Sequence, residues 1–123
     1  MQLEPNPNDG TNIFTGYEND HVVINGKPHR GNLLVLPRQI LSGWTDKRID
    51  ELTEADLAPL ADLGIQTVLL GAGITQPFLH PRLSKPLADK GIALEVMTFQ
   101  AACRTYNVLV GERRSVACAL LLD

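Results

Sequence analysis

The last stretch of the chain, Val116-Ala117-Cys118-Ala119-Leu120-Leu121-Leu122, is apolar at every position. Successive side chains of a strand point to opposite faces, so this run predicts a central strand covered on both sides. A chain carrying such a strand must supply a packing layer for each face of its sheet. The segment just upstream supplies one of them. Glu95 to Leu109, EVMTFQAACRTYNVL, reads as a strand running into an amphipathic helix. Phe99, Ala102, Cys103, Tyr106, Leu109 and Val110 recur at helical spacing on one face, while Gln100, Arg104 and Asn107 share another. The first set is committed to packing; the second is free to bind.

Upstream, helix and strand signals alternate. Leu52 to Leu57 carries a capping-box pattern at Thr53 and Asp56, with Leu52 placed to staple onto Leu57. Pro59 shortens or kinks that helix, and Gly64 stops it. Thr67 to Leu70 reads as a buried strand, followed by the loop Gly71–Pro77. A helix is expected over 81–90, firmest from Ser84 because Pro86 suits a first turn, and then a strand over 92–97. Strand, helix and strand make a βαβ unit with parallel strands. The first third reads as β: runs at 12–17 and 21–24, an Asn25-Gly26 hairpin returning through 27–30, and an apolar run over 33–36 stopped by Pro37. Residues 38–50, with the single tryptophan Trp44, read as extended with a turn near Ser42-Gly43. A flexible polar tail over 1–11 and one α/β domain over 12–123 follow from this pass.

Composition narrows the function classes. A net charge of −3 with no basic stripe argues against nucleic acid as a partner. No apolar run approaches the roughly 20 residues of a spanning helix, so membrane insertion is not expected. The opening residues lack the basic start and apolar core of a secretory signal, and Cys103 and Cys118 fall inside buried elements. Both features suit a reduced, cytoplasmic protein. Arg113-Arg114 follow a helix end, where cations meet the negative pole of its dipole.

No catalytic constellation is visible. His21, His29 and His80 have no metal spacing, the carboxylates are scattered, and Cys103 lies on the core stripe as a small hydrophobe. No cofactor or metal is expected. The loop has two glycines of a dinucleotide fingerprint, but Gln76 stands where the third belongs, and the helix starts about ten residues too late. One binding arrangement is allowed by the topology. The Gly71–Pro77 loop and the helix start at Thr98 both lie outside the carboxyl ends of parallel strands, the usual crevice of α/β sheets. Gly71, Gly73, Gln76, Thr98, Gln100 and Arg104 are therefore candidate ligands of a small anion, with the Arg104 guanidinium leaning back toward the crevice. Asn107 lies too far down the helix for that crevice and is expected to bond a backbone group.

The segments VLLGAG, GIALEVM and AACRTYNVLVGERRSVACALLL resemble a family of small domains of unknown function that includes a mitochondrial respiratory complex I assembly factor and the adipogenesis-associated domain protein. The resemblance runs from about Asn12 to Leu122 and is strongest at Ala102-Cys103, Thr105, Asn107-Val108-Leu109 and the last strand. It departs at Gly71-Ala72-Gly73, where the family has Gly-Thr-Gly. Thr98-Phe99 stands for Asp-Thr, and Gly111-Glu112-Arg113 for an acidic-Gly-Arg turn. The resemblance implies a three-layer α/β fold with a central mixed sheet, helices and an extra N-terminal β portion. It implies no established enzyme activity. A protein-interaction or assembly module, acting on a partner protein as a monomer or homodimer, is the leading expectation. A binder of a small anion is the alternative, and an enzyme using Cys103 a third reading.

Overall fold

The computed structural model describes residues 9–122. Its centre is a five-stranded mixed sheet, in the spatial order β5 (Gln39–Ser42), β4 (Leu33–Leu36), β8 (Val116–Leu121), β6 (Thr67–Ala72), β7 (Ala93–Met97). β8 is the middle strand and is buried along its whole length, as an all-apolar run requires. It pairs parallel with β6 and antiparallel with β4. β6 and β7 are parallel, with Thr67 opposite Ala93.

The two-residue period of the strands sorts the core into two halves. Leu33, Val35, Leu69, Val116, Cys118 and Leu120 point to one face, where they meet α3 (Phe99–Gly111) and a small antiparallel sheet. That sheet is β1 (Phe14–Tyr17), β2 (Val22–Ile24) and β3 (Lys27–His29), in sequential order. Leu34, Leu36, Val68, Leu70, Ala117, Ala119 and Leu121 point to the other face, covered by Leu57, Leu60, Leu83 and Leu87 from short helical segments. Three layers result, with the small sheet as the additional β portion.

α3 follows its periodicity: Phe99, Ala102, Cys103, Tyr106 and Leu109 are the buried residues. The other helices are shorter than the sequence suggests. In place of one helix over 81–90 there is a 3-10 turn at Pro81–Ser84 and a single α-turn, α2 (Lys85–Ala88). Pro86 carries no amide to extend the first turn, and Ala88 ends it before Gly91. Likewise α1 (Glu54–Leu57) passes into a 3-10 turn at Ala58–Asp62, around Pro59. The Thr53–Asp56 capping box is present. β6 also runs farther than expected: Gly71 and Ala72 are strand residues, not loop.

Residues 38–50 are organised by two side chains. Buried Asn32 donates to the carbonyls of Thr45 and Lys47 (2.9 and 3.2 Å) and accepts from the amide of Leu122 (2.9 Å). Trp44 Nε1 donates to the carbonyl of Leu120 (3.1 Å). The expected tail over 1–11 lies mostly outside the described residues. At its end, Arg38 Nη1 donates to the carbonyl of Asp9 (3.2 Å).

Candidate functional site

β6 and β7 end at one rim, and there the chain makes a loop over 73–80 and the start of α3. The side chains around that rim are largely spent on the fold. Gly71 sits under α3: a Cβ built there would lie 2.6 Å from Ala102 Cβ and 3.0 Å from Phe99 Cα. Its missing side chain is what lets the helix start approach the strand. Gly73 has φ +69°, and its carbonyl accepts from the Phe99 amide (3.1 Å). Thr98 caps the helix, its Oγ1 accepting from the Ala101 amide (3.2 Å). Two of the opening amides of α3 are thereby bonded within the chain, by Gly73 and Thr98.

Gln76 reaches across the rim and donates through Nε2 to the Val96 carbonyl (3.0 Å) and the Pro77 carbonyl (3.4 Å). Gln100 lies on the half-exposed side of the helix. The partner of Arg104 is Tyr17 on β1. Nη1 donates to the Tyr17 hydroxyl (2.6 Å), and the guanidinium stands 6.0 Å from the ring centroid. Tyr17 in turn packs edge-on against Phe99 (6.2 Å). The structure thus brings Gly71, Gly73, Gln76 and Thr98 to one rim and places the Arg104 head group against the small sheet.

Asn107 joins the small sheet to α3 at two points. Its Oδ1 accepts from the Phe14 amide (2.9 Å) and its Nδ2 donates to the Phe14 carbonyl (2.7 Å). A side-chain amide here does what a neighbouring strand would do. Next to it, the Tyr106 hydroxyl donates to the Asn12 carbonyl (2.9 Å), and its ring meets Phe14 at 5.2 Å.

Burial pushes the Cys103 thiol well above its ordinary value, with Arg104 lowering it only in part. Cys118 is shifted the same way by complete burial and by the neighbouring Cys103. Both are protonated at neutral pH, which removes the thiolate a nucleophile needs. Among the described residues no three or more His, Cys, Asp or Glu converge as metal ligands. No described helix is long and apolar enough to cross a membrane.

What the rim does present is apolar. Ile74 and Phe78 are 67% and 76% exposed, the two most exposed large hydrophobic residues described. They lie in a stretch, Leu63 to Leu79, without a single charge. The sequence singles out Gly71, Gly73 and Gln76 in this segment, not Ile74 or Phe78. The available signal was an aromatic and a branched aliphatic residue in a Gly/Pro/Gln loop, where no strand or helix gives them a face to join.

Residues 14–121 match the family described as protein of unknown function (DUF498/DUF598). The chain belongs to this family. Among its curated relatives are the proteins named NADH dehydrogenase [ubiquinone] 1 alpha subcomplex assembly factor 3. That of Danio rerio is 34% identical over 113 residues, 91% of this chain and 64% of the relative. That of Xenopus tropicalis is 32% identical over 109 residues, 85% of this chain and 58% of the relative. The chain therefore spans about three-fifths of the length of these relatives. A crystal structure of a Bordetella parapertussis protein is 33% identical, with a TM-score of 0.85 over 95% of this chain and all of that one.

Proposed function

We propose that this chain is a non-enzymatic assembly module that docks a partner protein through the loop over 73–80. The observation that carries the reading is the pair Ile74 and Phe78, 67% and 76% exposed on an uncharged loop. Interfaces concentrate their binding energy in a few aromatic and aliphatic anchors whose surroundings carry little charge. The loop is tethered at Gly73, whose carbonyl accepts from the Phe99 amide, and at Gln76, which donates to the Val96 carbonyl. Anchors held in place before binding lose less entropy on docking. Kinship with assembly factors supports a role exercised through protein contact. Burial that keeps the Cys103 thiol protonated weighs against an enzyme using Cys103.

The test is affinity capture from native extract with the wild type beside Ile74→Ser/Phe78→Asp, both checked for equal thermal midpoints. A partner retained reproducibly by the wild type and lost from the double variant supports the proposal. Equal retention by the two chains rejects the loop as the docking surface.

A further inference from the structure

Among the described residues the central sheet has two edges that pair with no further strand, and they are built differently. At β7, the Ala93 amide donates to the Gln66 carbonyl (3.0 Å), so odd-numbered residues turn their backbone toward β6 and Leu94 and Val96 turn theirs outward. That outer edge is guarded. Gln76 Nε2 occupies the Val96 carbonyl, and exposed Glu95 stands in the middle of the strand. Charged residues and covered backbone groups are the usual means of preventing edge-to-edge association.

At β5 the directions are equally defined. The Gly43 amide donates to the Asn32 carbonyl (2.7 Å), and Leu34 and Leu36 pair with Leu41 and Gln39. Gln39, Leu41 and Gly43 therefore face β4 with their backbone, and Ile40 and Ser42 face outward. β5 pairs with β4 alone. Its four residues, Gln39-Ile40-Leu41-Ser42, include no charge and no proline, and Leu41 is 36% exposed. Among the described residues none of the guards seen at β7 is present at β5.

We infer that β5 pairs antiparallel with β5 of a second copy, joining two five-stranded sheets about a two-fold axis. Outward-facing residues must meet outward-facing residues, which leaves two central registers. Centring on Ile40 sets Arg38 against Ser42 and leaves half-exposed Leu41 beside Gln39. Centring on Leu41 sets Ile40 opposite Ser42, where they exchange N–H and C=O bonds on both sides of the axis. It also sets Leu41 against its own copy at the closer, non-hydrogen-bonded spacing. The second register buries the exposed leucine and opposes no like charges, and the dimer uses it. The same symmetric pairing at β7 would set Glu95 against Glu95. The charge pattern thus selects β5 as the self-pairing edge. The dimer leaves the 73–80 loop free, because β5 and β7 are at opposite edges of the sheet.

Light scattering on the full chain, from micromolar to sub-millimolar loading, should give twice the 13.5 kDa of one copy. Leu41→Lys, which places two cations on the axis, and Ser42→Pro, which deletes an outward amide without touching the β4 ladder, should each halve that mass. Circular dichroism should show both variants folded. Leu41→Cys treated with a mild oxidant should give an intermolecular disulfide, its two thiols losing two hydrogens to the oxidant, whereas Glu95→Cys should give none. A wild type at 13.5 kDa throughout, or variants that remain at twice that mass, would overturn the inference.

Discussion

Replacing Gly71 by alanine probes whether the rim was shaped for packing or for a ligand. The added methyl would lie 2.6 Å from Ala102 Cβ, 3.0 Å from Leu120 Cδ2 and 3.0 Å from the Phe99 Cα. The last of these is backbone, so α3 itself must shift. Overpacking of this kind costs about 2 kcal/mol. For a domain of this size that corresponds to a fall of about 8 °C in thermal midpoint. Ala102→Gly alone should cost about 1.5 kcal/mol, from helix propensity and one lost buried methyl. In the double variant the worst contact disappears, so the two costs should fall short of their sum by about 1 kcal/mol. The contacts with Phe99 and Leu120 prevent complete rescue. Urea unfolding followed by the fluorescence of Trp44, the single tryptophan, reads all four chains. A Gly71→Ala chain as stable as the wild type, or strictly additive costs, would refute the account of this glycine.

Three further outcomes follow from the geometry. α3 ends with Arg113 in the left-handed region at φ +61°, its amide bonding the Val110 carbonyl while Arg114 bonds that of Leu109. Arg113→Gly should therefore raise stability by about 1 kcal/mol in urea titration, since glycine adopts that conformation without strain. Asn107→Ala leaves the Phe14 amide and carbonyl without their partner and should cost about 2 kcal/mol. Burial would raise the Asp56 carboxyl, but hydrogen bonds from the Thr53 amide and hydroxyl and from Lys47 outweigh it and hold the group below its ordinary range. A depressed folded-state value means stability present above the unfolded value of 3.8 and lost as pH falls through the folded one. Asp56→Asn should be less stable than the wild type at neutral pH, and the gap should close in acid.

The parts legible in the sequence are those where one periodicity decides. α3 shows its buried face through Phe99, Ala102, Cys103, Tyr106 and Leu109 because a long helix repeats its pattern several times. β8 is legible because an all-apolar strand has only one place to go. The short segments at 54–62 and 81–88 were read less well. There, Pro59 and Pro86 turn the chain between α and 3-10 geometry within four or five residues, too few for a period. Gly71 read as loop because glycine usually breaks strands, whereas here the helix above excludes any side chain.

At the candidate rim the topology was legible, and the side-chain partners were not. Topology brings Gly73, Gln76 and Thr98 to one rim, but their polar groups bond each other's neighbours. Arg104 finds a tyrosine 87 residues away, a pairing no local pattern encodes. The Asn107–Phe14 clasp spans 93 residues, and only its backbone-bonding character was foreseeable. Ile74 and Phe78 stand out only after the packed residues are accounted for.

Site-specific photocrosslinking in living cells addresses the docking surface most directly. A benzophenone side chain at 78 should yield a discrete protein adduct. The same group at Val108, also exposed at 58% but on the outer side of α3, should yield none. Adducts from 108 and not from 78, or no adduct from 78 at native abundance, would contradict the assignment of the loop as the surface through which this protein works.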